Sequence, residues 1–243
     1  MHDNMGMIRK HLLRHASWSM LLCSAGFFFA APLCFGQKTL VQKTGAIVQN
    51  TDININIYGT FPSVATGPVP TDSTTGQPIA GATALKQTAN RSPGFRIGAR
   101  HIFSPIFGFE INFGYNPATQ YFTGATPSQN GPVYSHAKPF TIDYVVTSPH
   151  LYHGFQLFAL GGAGFISYNI SSTSNFAARA EKIPVGEYGV GADYHPTMFP
   201  RFASLRLQYR GLVGHAPDYR LPILATNNLI NIAEPQVGLV FKF

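Results

Sequence analysis

Charge is the first thing this chain is short of. Only 11% of its 243 residues are Asp, Glu, Lys or Arg, less than half the share usual in soluble globular domains. Cysteine is scarcer still. Cys23 and Cys34 are the only two, both near the N-terminus, which excludes a disulfide framework and thiol chemistry from the rest of the chain. After residue 36 no apolar run is long enough for a membrane helix. The formal charge of +7 is too mild and too scattered to indicate a nucleic-acid partner.

What is plentiful is aromatic residues and turn formers: 20 Phe, 11 Tyr, 24 Gly and 18 Pro. Few charges, many aromatics and many breakers make a β composition rich in turns.

The N-terminal stretch has a different character. Arg9, Lys10 and Arg14 precede an uncharged run from Ala16 to Gly36 that contains Phe27-Phe-Phe-Ala-Ala. Cys34 and Gly36 stand at −3 and −1 of a cut before Gln37. This reads as a secretory signal peptide over residues 1–36. The rival reading is an uncleaved anchor, because the run approaches the roughly 18 apolar residues an anchor needs. Pro32 and the small residues near the end of the run favour cleavage. Leu22 and Leu33 precede the cysteines where a lipoprotein site needs a small residue. Losing three positive residues and Asp3 with the leader takes +7 to +5. Residues 37–51 read as a periplasmic lead-in and 52–243 as the folded domain.

Along that domain are eight candidate strands, seven of them with period-two alternation. Ile53, Ile55 and Ile57 alternate with Asn54 and Asn56; Phe95, Ile97 and Ala99 with Arg96, Gly98 and Arg100. Phe107, Phe109, Ile111, Phe113 and Tyr115 alternate with Gly108, Glu110, Asn112 and Gly114. The same pattern spans 140–146, 187–194, 205–210 and 237–243. Residues 154–167 are apolar on both faces, which leaves their register open. Connections alternate too. Turns at Ser104-Pro-Ile, Ser148-Pro-His and His195-Pro-Thr are short; stretches near 62–93, 117–138, 169–182 and 212–232 are long and polar. Strands of this kind, with short turns at one rim and long loops at the other, predict an all-β, eight-stranded antiparallel up-and-down barrel.

A soluble barrel, such as a lipocalin, puts its apolar face inward. Here the large apolar residues share one face, and the other carries Gly with Arg96, Arg100, Glu110, Asp143, Glu187, Asp193, Arg206, Arg210 and Lys242. Five positive and four negative charges nearly cancel, as an interior demands. The predicted barrel therefore faces lipid. The charges read as a structural network that fills the lumen, with a gate or ion path as the functional alternative. Arg100 and Glu110 should meet across a hairpin turning at Pro105.

The segment Gly94-Phe-Arg-Ile-Gly-Ala-Arg-His-Ile-Phe-Ser-Pro-Ile-Phe-Gly-Phe-Glu-Ile-Asn-Phe-Gly-Tyr115 resembles a hairpin of the small bacterial outer-membrane β-barrels, the OmpA/OmpX/OmpW-like group. Residues 159–165, 188–194 and 205–210 resemble its later strands. The ending Val237-Gly-Leu-Val-Phe-Lys-Phe243 is similar to the family's assembly signal, carried by Val237, Leu239, Phe241 and Phe243. The resemblance implies the fold, an outer-membrane location, contact with lipid and lipopolysaccharide, and delivery by the barrel-assembly machinery. It implies no activity, because this fold hosts adhesins, anchors, narrow channels and lipid enzymes.

No catalytic or cofactor-binding set stands out, and no cofactor is expected. His150-x-x-His153 lacks further ligands for a metal. His136 beside Ser135 reads as loop, without a third group to orient a base. Tyr58, Tyr115, Tyr144, Tyr194 and Tyr209 read as interfacial girdle residues. The expected function is structural or surface interaction through the long loops, by a monomer that is not an enzyme. The alternatives are a narrow channel or transporter for small solutes and, behind it, a lipid-modifying enzyme.

Overall fold

The computed structural model describes residues 51–69, 71–72, 74–81, 83–124, 130–149, 153–171, 177–200 and 202–243. The expected signal peptide, both cysteines, nearly all of the lead-in and His150 lie outside the described residues. Thr51, the last lead-in residue, already belongs to the first strand.

Ten strands follow in order: β1 Thr51–Pro62, β2 Ala65–Thr66, β3 Lys86–Ala89, β4 Ser92–Ile102, β5 Phe107–Thr123, β6 Gly131–Thr147, β7 Phe155–Ile170, β8 Glu181–Tyr194, β9 Ala203–His215 and β10 Leu229–Lys242. Each long strand pairs antiparallel with its neighbours, β5 pairs with β6, and β1 pairs with β10, so the sheet closes into an eight-stranded barrel. β2 and β3 are not extra staves. Thr60 pairs with Ser92 and Ala65 with Gln87 in one continuous register, so β1–β2 and β3–β4 are two long interrupted strands. Between Ala89↔Gln120 and Phe95↔Tyr115 the register against β5 slips by one residue. Asn90 and Arg91 thus form a bulge in the wall.

The strands run further toward the long-loop rim than the alternation suggests. β5 continues through Pro117 to Thr123, and β6 begins at Gly131. Seventeen residues of β6 at ~3.4 Å each and a tilt near 40° rise roughly 44 Å. The apolar band of such barrels is ~25 Å tall, so the upper wall projects beyond it.

Alternation is the rule on every stave. Ile57, Val190 and Leu207 stand outward at 65, 59 and 68% exposure, while Asn54, Asn56, Arg96 and Arg206 are fully buried. The open register of β7 is settled: Phe158, Leu160, Ile166 and Tyr168 point inward. Tyr58, expected in the girdle, is buried in the lumen and donates its hydroxyl hydrogen to Asn116 Oδ1 at 3.1 Å. Ile57 faces out, so its neighbour must face in. Gly98 makes room on the inner wall, since a Cβ there would lie 2.7 Å from Asn54 Nδ2.

Candidate functional site: a charged lumen under an apolar cap

The lumen charges come from six staves. β4 presents Arg96 and Arg100, β5 Glu110, β6 Asp143, β8 Glu187 and Asp193, β9 Arg206 and Arg210, and β10 Glu234. Of the nine charged residues singled out in the sequence, the eight other than Lys242 face inward and are buried. Glu234 is a ninth that the sequence reading missed, because residues up to 232 read as loop and the last strand as starting at Val237. Asp52 is also buried, while Lys242 lies half-buried opposite it at the short-turn rim. The deep layer therefore holds four arginines and five carboxylates, one negative charge in excess.

The arginines bind the layer together. Arg100 and Glu110 are cross-strand partners, with Arg100 Nε donating to Glu110 Oε2 at 2.6 Å. Arg206 grips Asp193 with two bonds of 2.7 and 2.8 Å and reaches Glu110 at 3.3 Å. Arg210 Nη1 contacts Glu187 at 2.9 Å and Asp143 at 3.1 Å, and its Nη2 donates to Glu110. Arg96 pairs with Glu187 at 2.6 Å and with Glu234. Two guanidinium groups rest against the Phe158 ring, Arg100 at 4.3 Å and Arg206 at 4.9 Å from its centroid. Bidentate and shared contacts of this kind offset part of the large cost of desolvating charge.

Above this layer the lumen turns apolar. Phe122, Val133, Ile166, Tyr168, Leu212 and Ile232 line it, and the β9–β10 loop drops Tyr219 and Leu224 into the middle. Both are fully buried. Tyr219 shares a 3.0 Å hydrogen bond with Ser135 Oγ and packs edge-on against Phe122 and Tyr168, 6.2 Å from each. Glu181 accepts the amides of Asp218 and Tyr219 at 3.1 and 2.8 Å. Tyr219 and Arg220 hold φ of +54° and +61°, a conformation costly for residues with a Cβ and maintained here by those anchors. Burial pushes the pKa of the Tyr219 hydroxyl up. A cavity open to a water-sized sphere over ≈ 20 Å³ remains between cap and charged layer, beside Glu234 and Asn116. That is room for about one water.

Ser135 and His136 lie in strand β6, not in a loop, and face opposite sides of the wall. Ser135 is buried, whereas His136 Nδ1 meets Tyr115 Oη at 2.9 Å on the outer side. They do not form a nucleophile–base pair. Among the described residues no group of three or more His, Cys, Asp or Glu is arranged to hold a metal ion. Val237, Leu239 and Phe243 face outward on β10 and its end, with Phe241 half-buried.

A barrel with its charge sealed inside and its apolar side chains outside is built for lipid, because only closure satisfies every backbone group in hydrocarbon. The chain has the fold of the small transmembrane β-barrels of bacterial outer membranes. Several solved structures are similar to it. The outer membrane protein AlkL, determined in lipid bilayers, is 13% identical over 86% of this chain and 97% of that one, with a TM-score of 0.50. Neisserial surface protein A is 10% identical over 79% of this chain and 97% of its own, with a TM-score of 0.46. The attachment invasion locus protein Ail of Yersinia pestis, in complex with a heparin analogue, is 12% identical over 80% and 99%, with a TM-score of 0.41. No family model matches the chain, and no curated protein matches it.

Proposed function

We propose that this chain is a closed, non-conducting barrel that serves as a structural element and presents its long loops at the cell surface. The observation that carries the reading is the charged layer. Arg96, Arg100, Arg206 and Arg210 are each at most 1% exposed, and their carboxylate partners lie on other staves. An ion would have to break several buried pairs to pass. The reading takes the chain as a monomer without catalytic activity, exported by the leader over residues 1–36. The strand ending in Val237, Leu239, Phe241 and Phe243 hands it to the barrel-assembly machinery. Long loops on a rigid wall are where surface contacts are made.

Recordings in planar lipid bilayers test this. The expected result is no steady conductance from the folded chain. A steady ohmic conductance that changes on Arg210→Ala refutes it and leaves the narrow channel. A second reading, a path for small apolar solutes, draws on the apolar upper lumen. With room for about one water, that chamber admits a solute only if the Tyr219 loop moves out.

A further inference from the structure

The outward face of the upper wall carries cations and no described carboxylate. The acidic residues of the staves point into the lumen, apart from Glu181, which is turned to the amides of Asp218 and Tyr219. Asp72 and Asp218 sit in loops. On the outer side Lys138 of β6 lies opposite Ser167 of β7, and Ser167 lies opposite Lys182 of β8. Two strand spacings separate the lysine backbones, about 10 Å, so both four-carbon stems can converge on one anion above Ser167. All described ion pairs lie in the lumen, and neither lysine takes part in one. Lys182 Nζ rests 5.4 Å from the Phe165 ring centroid.

Depth decides what such an anion is. Lys138 stands eight residues above Val146, the outward residue at the short-turn end of β6, a rise of about 20 Å at barrel tilt. Lys182 stands twelve residues above Tyr194, about 30 Å. The row therefore crosses the upper edge of an apolar band ~25 Å tall, at the level of the headgroups of the leaflet on the long-loop side. Below it Phe140 and Phe165 stack at 5.5 Å. Further down, the outward positions of β7 are Ala163, Gly161 and Ala159, a shallow channel between Ile142 and Tyr144 of β6 and Tyr188 and Val190 of β8.

We propose that Lys138, Ser167 and Lys182 dock the phosphate of an outer-leaflet glycolipid, whose acyl chain lies down the β7 channel past Phe165. The lysines supply charge with their stems laid on the aromatic rings, and Ser167 supplies a hydroxyl donor between them. The inference holds whether or not the lumen conducts, because it uses only the outer face.

The test uses the full folded barrel in phosphatidylcholine nanodiscs doped with bis-phosphorylated lipid A, dephosphorylated lipid A, or neither. Native mass spectrometry reads the lipid retained on the protein. The wild type is expected to retain phosphorylated lipid A in preference to the dephosphorylated form. Lys138→Ala with Lys182→Ala should lose roughly 30-fold in affinity, from about fivefold per lysine near a membrane surface. Lys242→Ala, at the other rim, should lose nothing. Equal retention by the double variant, or equal binding of the two lipids, overturns the proposal. Displacement of the lipid by millimolar inorganic phosphate overturns it too, because the row is then a site for free anions. Unboiled gel mobility shows that each variant is folded. If the double variant does not fold, Lys138→Gln and Lys182→Gln are read singly by the same criterion.

Discussion

Replacing Glu110 by Gln keeps the side chain's shape and removes a charge shared by three guanidinium groups. Two of them keep good partners. Arg206 retains both bonds to Asp193 at 2.7 and 2.8 Å, and Arg210 retains Glu187 and Asp143. Arg100 is left with Asp193 at 3.6 Å and the face of Phe158. Removing one partner of a buried pair costs about 3–5 kcal/mol. The lower end, about 3 kcal/mol, is expected because the amide oxygen still accepts from Arg100. Glu234→Gln makes the contrast. It neutralises the layer's one surplus negative charge, and Arg96 keeps Glu187 at 2.6 Å, so the change should stay within about 1 kcal/mol. Urea titration read by unboiled gel mobility suits both variants, since the one Trp of the sequence, Trp18, precedes the first strand and no strand of the barrel carries one. If Glu110→Gln unfolds within about 1 kcal/mol of wild type, or Glu234→Gln costs as much as Glu110→Gln, the lumen network does not hold the barrel as argued.

Three further outcomes are expected. Gly98→Val places carbon 2.7 Å from Asn54 Nδ2 on the inner wall, and overpacking there should cost about 1–3 kcal/mol, read as a lower urea midpoint. Tyr219→Ala removes the centre of the apolar cap. A large-to-small change there should cost about 3–5 kcal/mol if the whole barrel reports it, and trypsin should cut the Arg220–Leu221 bond faster in the variant than in the wild type. In the β2–β3 loop, the amides of Thr74 and Thr75 bond Asp72 Oδ1 at 2.6 and 3.2 Å and hold its carboxyl below the usual 3.8. A depressed carboxylate loses its contribution as pH falls through its folded value. The Thr74 and Thr75 amide resonances should therefore titrate with a midpoint below 3.8; a midpoint at or above it removes the turn.

The staves in hydrocarbon were legible because their chemistry repeats every two residues. Lipid demands apolar side chains on one face, and the lumen takes the rest, so Arg100 opposite Glu110 followed from alternation and one turn. Where the strands rise out of the membrane that demand lapses. Pro117, Pro132 and Pro139 then look like loop, and the upper halves of β5 and β6 went unread. Glu234 was missed for the same reason, since it sits in the upper part of β10 beside Pro235. The cap is a different case. Tyr219 and Leu224 are buried by a non-repeating loop with two left-handed residues in succession, and no periodic signal marks such a segment. His136 and Ser135 were placed in a loop only because their strand was.

The spokes of the lumen also constrain the order in which the barrel is made. Hydrogen bonds between adjacent staves form hairpin by hairpin, each needing only its neighbour. Arg96 to Glu187, Arg206 to Glu110 and Arg96 to Glu234 join staves that are not neighbours, so these pairs exist only once β1 has met β10. A half-inserted, open sheet would hold naked guanidinium groups and carboxylates against hydrocarbon, at a cost of several kcal/mol for each. Stave-by-stave entry into bare lipid is thus closed to this sequence. Its wall has to be completed where water still reaches the inner face, and the charges draw together as the seam shuts.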